Sequence, residues 1–234
     1  MAVENEYGRL LYLVQVANSA FPTGAFNHSY GLETLIDRGD IFNAETLERF
    51  CSDWLFYGVA SVDGAAVVAA HRAALAGDLD QLVELDNLVG ALKLPREIRE
   101  ASYKTGYAFL TAVAKVFQPT GMVATYAQAV KEGKCEGHQA VAFGVAGTAF
   151  GVPEVETALV FLQSALTNLV SVAARLIPLG QLEVQRIVAK AWPLLIQAVK
   201  VAKSRKPEEF GSTTVAHDIA AMHHERLYSR LCMS

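Results

Sequence analysis

Cysteine is scarce in this chain. Cys51, Cys135 and Cys232 are the only three among 234 residues, odd in number and far apart, which excludes a disulfide framework and every zinc-finger spacing. Such thiols suit a reducing cytoplasm. Charge is scarce too, at 19% of residues, with a formal net charge of -4 and no long basic stripe, so no nucleic-acid partner held by counterion release is expected. The opening Met1-Ala2-Val3-Glu4-Asn5-Glu6 brings acid where a secretory leader carries Lys or Arg, and export is not expected.

The motifs of common chemistries are missing as well. Gly133-Lys134-Cys135 lacks both the upstream glycine and the hydroxyl of a phosphate-binding loop. The glycines between Gly137 and Gly151 do not match the dinucleotide fingerprint. His224-Glu225 has Tyr228 where a zinc-protease helix needs its second histidine, and no Gly-x-Ser-x-Gly elbow occurs. On a helix the neighbours His223 and His224 point roughly 100° apart, and His217 lies two turns from His224. These read as solvated or interface histidines, with no metal, no cofactor and no catalytic group expected in this chain.

What is present is apolar surface, 52% of the residues, and it is patterned as helices. Tyr7, Leu10, Leu11 and Val14 form a stripe that Pro22 and Gly24 end. After a turn at Arg38-Gly39-Asp40, Asn43 can cap a helix with Leu47, Phe50, Cys51, Trp54 and Leu55 on one face. It continues through an Ala-rich run from Val62 to Ala76 and stops at Gly77-Asp78. Leu79 to Leu92 and Pro95 to Phe117 predict two more helices. The glycines at 137, 144, 147 and 151 predict a close helix contact. Pro153 opens a long apolar helix whose Ala158 to Leu179 run holds Gln163, Asn168 and Arg175, the pattern of a buried core helix, not of a membrane span. Two further helices flank a break at Trp192-Pro193. Ser204 to Thr214 is the best linker, and His217 to Leu231 forms a last helix largely detached from the core. The expected fold is all-α, a single bundle-like domain of about ten helices over residues 1–203 with a detachable C-terminal arm over 204–234. So apolar a chain is expected to self-associate.

One cluster stands apart: Phe21-Pro22-Thr23-Gly24-Ala25-Phe26-Asn27-His28-Ser29-Tyr30-Gly31-Leu32-Glu33. It resembles the N-terminal signature of the urease accessory protein F family, a Phe-Pro-x-Gly turn followed by His-Ser-x-Gly-Leu-Glu. Gly137-His138-Gln139-Ala140-Val141-Ala142-Phe143-Gly144 is similar to that family's central segment, and Arg175-Leu176-Ile177-Pro178-Leu179-Gly180-Gln181 to its later one. His224-Glu225-Arg226-Leu227-Tyr228-Ser229-Arg230-Leu231 is similar to its closing run. Glu183-Val184 stands where the family pattern has Asp-Gly, and Cys232-Met233 stands where it has Phe-Arg.

The resemblance implies an all-helical, dimer-forming, non-catalytic protein needed for nickel insertion into urease. It would bind the urease accessory D protein, called H in some organisms, recruit the accessory G GTPase, gate its GTP hydrolysis, and so serve the urease apoprotein. Partner binding is expected at Phe21, Pro22, Thr23, Gly24, His28, Tyr30 and Glu33 of the first motif and at Arg175, Gln185 and Arg186 near the third. His224, Glu225, Tyr228 and Arg230 of the arm complete the set, with Arg230 reaching the Tyr30 region. Two other readings stay open. A cofactor-free helical enzyme would show a deep polar pocket with convergent His and carboxylate groups, and a generic helical adaptor would bind no urease accessory protein.

Overall fold

Tyr12 decides how the chain begins to pack. In the computed structural model, which describes residues 6–234 and so leaves the leader expectation at 1–5 outside it, α1 spans Glu6–Val16. Tyr12, Leu13 and Val16 are buried there, and the Tyr12 ring stacks on Phe150 at 3.8 Å and meets Phe117 edge-on at 5.2 Å. The stripe expected to pack, Tyr7, Leu10, Leu11 and Val14, is more than half exposed. This helix carries apolar residues on two faces, and the aromatic slot takes the face with the larger ring.

A 3-10 turn, Ala25–Asn27, leads to Tyr30 and Gly31, both at positive φ (52° and 87°), and to α2, Leu32–Asp37. Asn43 then caps α3, Ala44–Asp53: its side chain accepts the Thr46 amide at 2.9 Å while Thr46 Oγ1 accepts the Asn43 amide at 3.2 Å. The helix passes through a π-helical stretch, Trp54–Gly64, into α4, Ala65–Ala76, making one continuous helix of 33 residues. Gly77 at φ 75° ends it, and Asp78 caps α5, Leu79–Leu92. Pro95 precedes α6, Arg96–Phe117. An unforeseen helix, α7, follows at Met122–Lys131.

The centre of the molecule is α8, Gln139–Ala149, in which every residue from Ala140 to Gly147 is buried. A helix apolar on all sides belongs inside. Its glycines explain the fit: a Cβ at 144 would collide with the Val67 carbonyl of α4, and one at 147 would sit 2.6 Å from Thr157 Oγ1. Thr157 belongs to α9, Glu154–Leu176, which Pro153 opens as expected. The helices at 44–76 and 154–176 have the length and apolarity of a membrane span, with 67% and 50% of their most apolar windows buried inside the fold. Along α9 the buried side chains include Phe161, Leu162, Leu166 and Leu169, the face of a core helix.

The break at Trp192-Pro193 separates α10, Gln181–Lys190, from α11, Trp192–Ser204, with Pro193 in a first turn where its missing N–H costs nothing. After the 204–214 connection comes α12, Val215–His224. Two expectations are corrected here. The last helix ends at His224 instead of continuing to Leu231, and the arm is not detached but lies against α2 and α6. No strand occurs among the described residues.

Candidate functional site: the arm folded onto the N-terminal motif

The left-handed pair Tyr30-Gly31 prepares a seat for the arm. A Cβ on residue 31 would stand 2.9 Å from the Ala221 amide nitrogen and 3.0 Å from the His217 carbonyl oxygen, so only glycine lets α12 approach this closely and also accepts φ 87°. Just beyond it, in the first turn of α2, stands Glu33.

Glu33 is the anchor for the chain's end. Its Oε1 accepts the Leu231 amide at 2.7 Å, and its Oε2 accepts the Cys232 amide at 3.0 Å and His224 Nε2 at 2.9 Å. Burial works to raise this carboxyl, but the Leu231 amide, His224 and the Cys232 amide outweigh it and hold Glu33 below the usual carboxylate range. On its other side His224 meets Glu97 Oε2 through Nδ1 at 2.6 Å. His224 is completely buried, with each ring nitrogen facing a carboxylate. Glu97 Oε1 in turn accepts Arg230 Nη1 at 2.9 Å. Nearby, Arg96 grips Glu225 through two nitrogens, at 2.8 and 3.2 Å.

The expected contact between Arg230 and the Tyr30 region is therefore corrected: Arg230 turns to Glu97. Tyr30 instead packs beside Trp54 at 5.8 Å and His28 at 6.2 Å, and burial with the Asp63 charge pushes its phenol well above the ordinary value. The last residues run along the turn, with the Met233 amide on the Asn27 carbonyl at 2.8 Å, the Ser29 amide on the Ser234 carbonyl, and His28 Nδ1 2.8 Å from Ser234 Oγ. Burial, with the Lys104 charge, lowers His28 to about 4, so the ring is neutral near pH 7.

Most of the residues singled out in the sequence converge here. Arg175 donates to the Phe26 carbonyl. Phe21 is buried against Phe109 and Phe117. Thr23 Oγ1 accepts the Ala25 amide, and Gly24 supplies a φ of 75°. Pro22 and Tyr228 face solvent, the latter fully. Gln185 and Arg186 do not join the cluster. They are exposed on α10, which packs on α9, α11 and α3.

Glu97 and Arg96 were missed, although an acid in the first turn after Pro95 is a legible helix-start signal. Asp86 was missed too. Fully buried, it accepts the Tyr126 hydroxyl at 2.8 Å and the amides of Glu136, Gly137 and His138 at 2.7 to 3.0 Å, and so shapes the turn before α8. Chemically the arm cluster is a closed clasp: its carboxylates, imidazole and amides satisfy one another. No group of three or more His, Cys, Asp or Glu placed to hold a metal occurs among the described residues.

Comparison with known proteins bears on this arrangement. The UreF family profile matches residues 41–191. The urease accessory protein UreF of Lachnoclostridium phytofermentans is 34% identical over 225 residues, 96% of this chain and 98% of its own length. That of Haemophilus influenzae strain Rd is 34% identical over 229 residues, 98% and 96% of the two chains. That of Arthrobacter sp. strain FB24 is 37% identical over 224 residues, 96% of each. With its helical fold, its N-terminal turn and its closing segment in place, and with relatives matched end to end, the chain belongs to the UreF family of urease accessory proteins.

Proposed function

We propose that this chain is a non-catalytic scaffold in urease maturation, required for nickel insertion. It binds the accessory D protein, the H protein of some organisms, and through that complex recruits the accessory G GTPase to the urease apoprotein. Nickel and GTP are cargo and fuel of the assembly, and the chain acts as a cytoplasmic homodimer that orders its partners and gates hydrolysis. The observation that carries this reading is the joint surface made where the arm lies on the N-terminal turn. There the exposed Phe26 of the turn and the exposed Tyr228, Leu231 and Met233 of the arm offer apolar and aromatic area above a buried polar clasp, the composition of an interface core.

The arm is suited to a switch. Its clasp is a few charge-assisted hydrogen bonds at the end of a linker, so it can open or re-form as a partner arrives, the ordering cost being shared with the contact. On this reading residues 204–234 are a separable partner-binding unit.

The test is urease activation in cells carrying the structural and accessory proteins, with and without this chain, together with a pull-down of the D-type partner. Loss of both nickel loading and complex formation supports the scaffold reading. Unchanged activation without partner binding rejects it. In the same assay Arg230→Ala, which takes the partner from Glu97 Oε1 and loosens the arm, is expected to weaken capture of the D-type partner, and capture at wild-type affinity removes the arm from the interface.

A further inference from the structure

Under the arm lies a cavity of about 90 Å³, open to solvent on one side. Its walls come from the π-helical stretch, the α5–α6 junction, α9 and the arm itself. At roughly 10–15 Å³ of such space per water-sized group, it holds a handful of heavy atoms and no nucleotide. A π-helical stretch is an expensive local geometry that recurs at functional sites, and this one supplies Trp54, Gly58 and Asp63 to the cavity.

The charges in the cavity discriminate between ligands. Among the described residues Lys93 is the only Lys or Arg lining it, and it is already committed to Asp63 at 2.8 Å, with both side chains at most 14% exposed. An incoming anion would find no uncommitted Lys or Arg among the described residues. Asp218, on the arm, has no ion pair or hydrogen bond to its carboxylate among the described residues, and the adjacent His217 has a buried Nδ1 with no partner. Burial raises the Asp218 carboxyl while the Lys93 charge opposes the rise, the condition of a carboxylate short of donors. Around these groups stand the rings of Tyr30, Trp54 and Phe161, which suit an alkyl stem and the face of a cation.

We propose that this cavity binds a primary ammonium or guanidinium group on a short alkyl stem, with Asp218 as its counter-ion and the three rings around the stem. Because Asp218 and His217 belong to the arm, the bound cation also ties the arm to the body. The group can come from a free small amine or from a Lys or Arg side chain of a protein partner.

The first experiment is calorimetric titration of the full chain with n-butylammonium, n-butylguanidinium, n-butanol and butyrate. It needs no other protein and so stands or falls apart from the scaffold reading. The expected result is saturable one-to-one binding of the two cations, with the alcohol and the carboxylate at least about tenfold weaker, the size of one charge-assisted hydrogen bond. Asp218→Asn, conservative and partly exposed, is expected to keep the melting temperature and lose about tenfold in cation affinity. Equal binding of butanol or butyrate, cation affinity indifferent to Asp218→Asn, or no saturable binding of either cation overturns the proposal; the ligand series does so even without the variant. Given cation binding, loss of the D-type partner from Asp218→Asn in a pull-down assigns the cation to that partner's side chain, and unchanged capture assigns it to a free amine.

Discussion

His224 stands between two carboxylates, 2.9 Å from Glu33 and 2.6 Å from Glu97, with no exposure of its own. Removing it leaves two nearly buried acids facing each other, and His224→Ala is expected to cost about 3 kcal/mol, the lower end of the range for breaking a buried pair, as read from urea unfolding. Glu33 titrates below its ordinary range in the fold, so its stabilisation is complete above that range and is lost as pH falls through the folded value. His28 and His138 are each lowered to about 4, chiefly by burial. Both stay neutral in the fold while the unfolded chain protonates near pH 6.5. Their contribution is present above pH 6.5 and is eroded as pH falls toward 4. Urea midpoints at pH 7.5 and 5 are expected to show a clear loss at the lower value, and a flat profile would contradict the burial of these rings.

At the scale of elements, glycine sets which helices touch. Gly31→Ala puts a methyl 2.9 Å from the Ala221 amide and strains a φ of 87°, so α12 must lift from α2. Limited trypsin digestion is expected to cut this variant after Arg226 and Arg230 faster than the parent, with the body intact. Gly144→Val is the contrasting case. Its side chain would enter the α4 backbone at Val67, and overpacking in a fixed core costs about 1–3 kcal/mol or more, so the whole protein melts earlier and not the arm alone. The π-helical stretch shows the same logic: Gly58 faces Thr214 of the arm, and Gly64 faces Ala202 and Leu162.

Across the whole molecule, protection should be graded. The body is knit around α8, buried from Ala140 to Gly147, whereas the arm is held by the clasp, the Arg96–Glu225 pair, the hydrogen bonds of its last residues to the N-terminal turn and an apolar helix face. Amides of α12 and of Leu231 and Cys232 are expected to exchange through a sub-global opening of lower free energy than those of α8. Hydrogen exchange read by mass spectrometry checks this, and equal protection in arm and body would rule out a separable arm. Under the proposed scaffold reading, binding of the D-type partner is expected to raise arm protection toward that of the body.

Helix positions were legible wherever a local signal fixed them, because capping and proline geometry involve residues within one turn of each other. Asn43, Asp78, Pro95, Pro153 and Trp192-Pro193 each mark a boundary found in the fold. The sequence by itself also determined the family, through short motifs at the chain's start, middle and end. Which of two apolar faces α1 buries was decided elsewhere, by the slot that Phe117 and Phe150 build around Tyr12. The clasp was beyond local reading, since Glu33 and His224 are 191 positions apart and Glu97 and Arg230 are 133 apart. Periodicity records what each segment can bury; only tertiary packing, which brings distant carboxylates, amides and an imidazole to within 3 Å, decides what they hold.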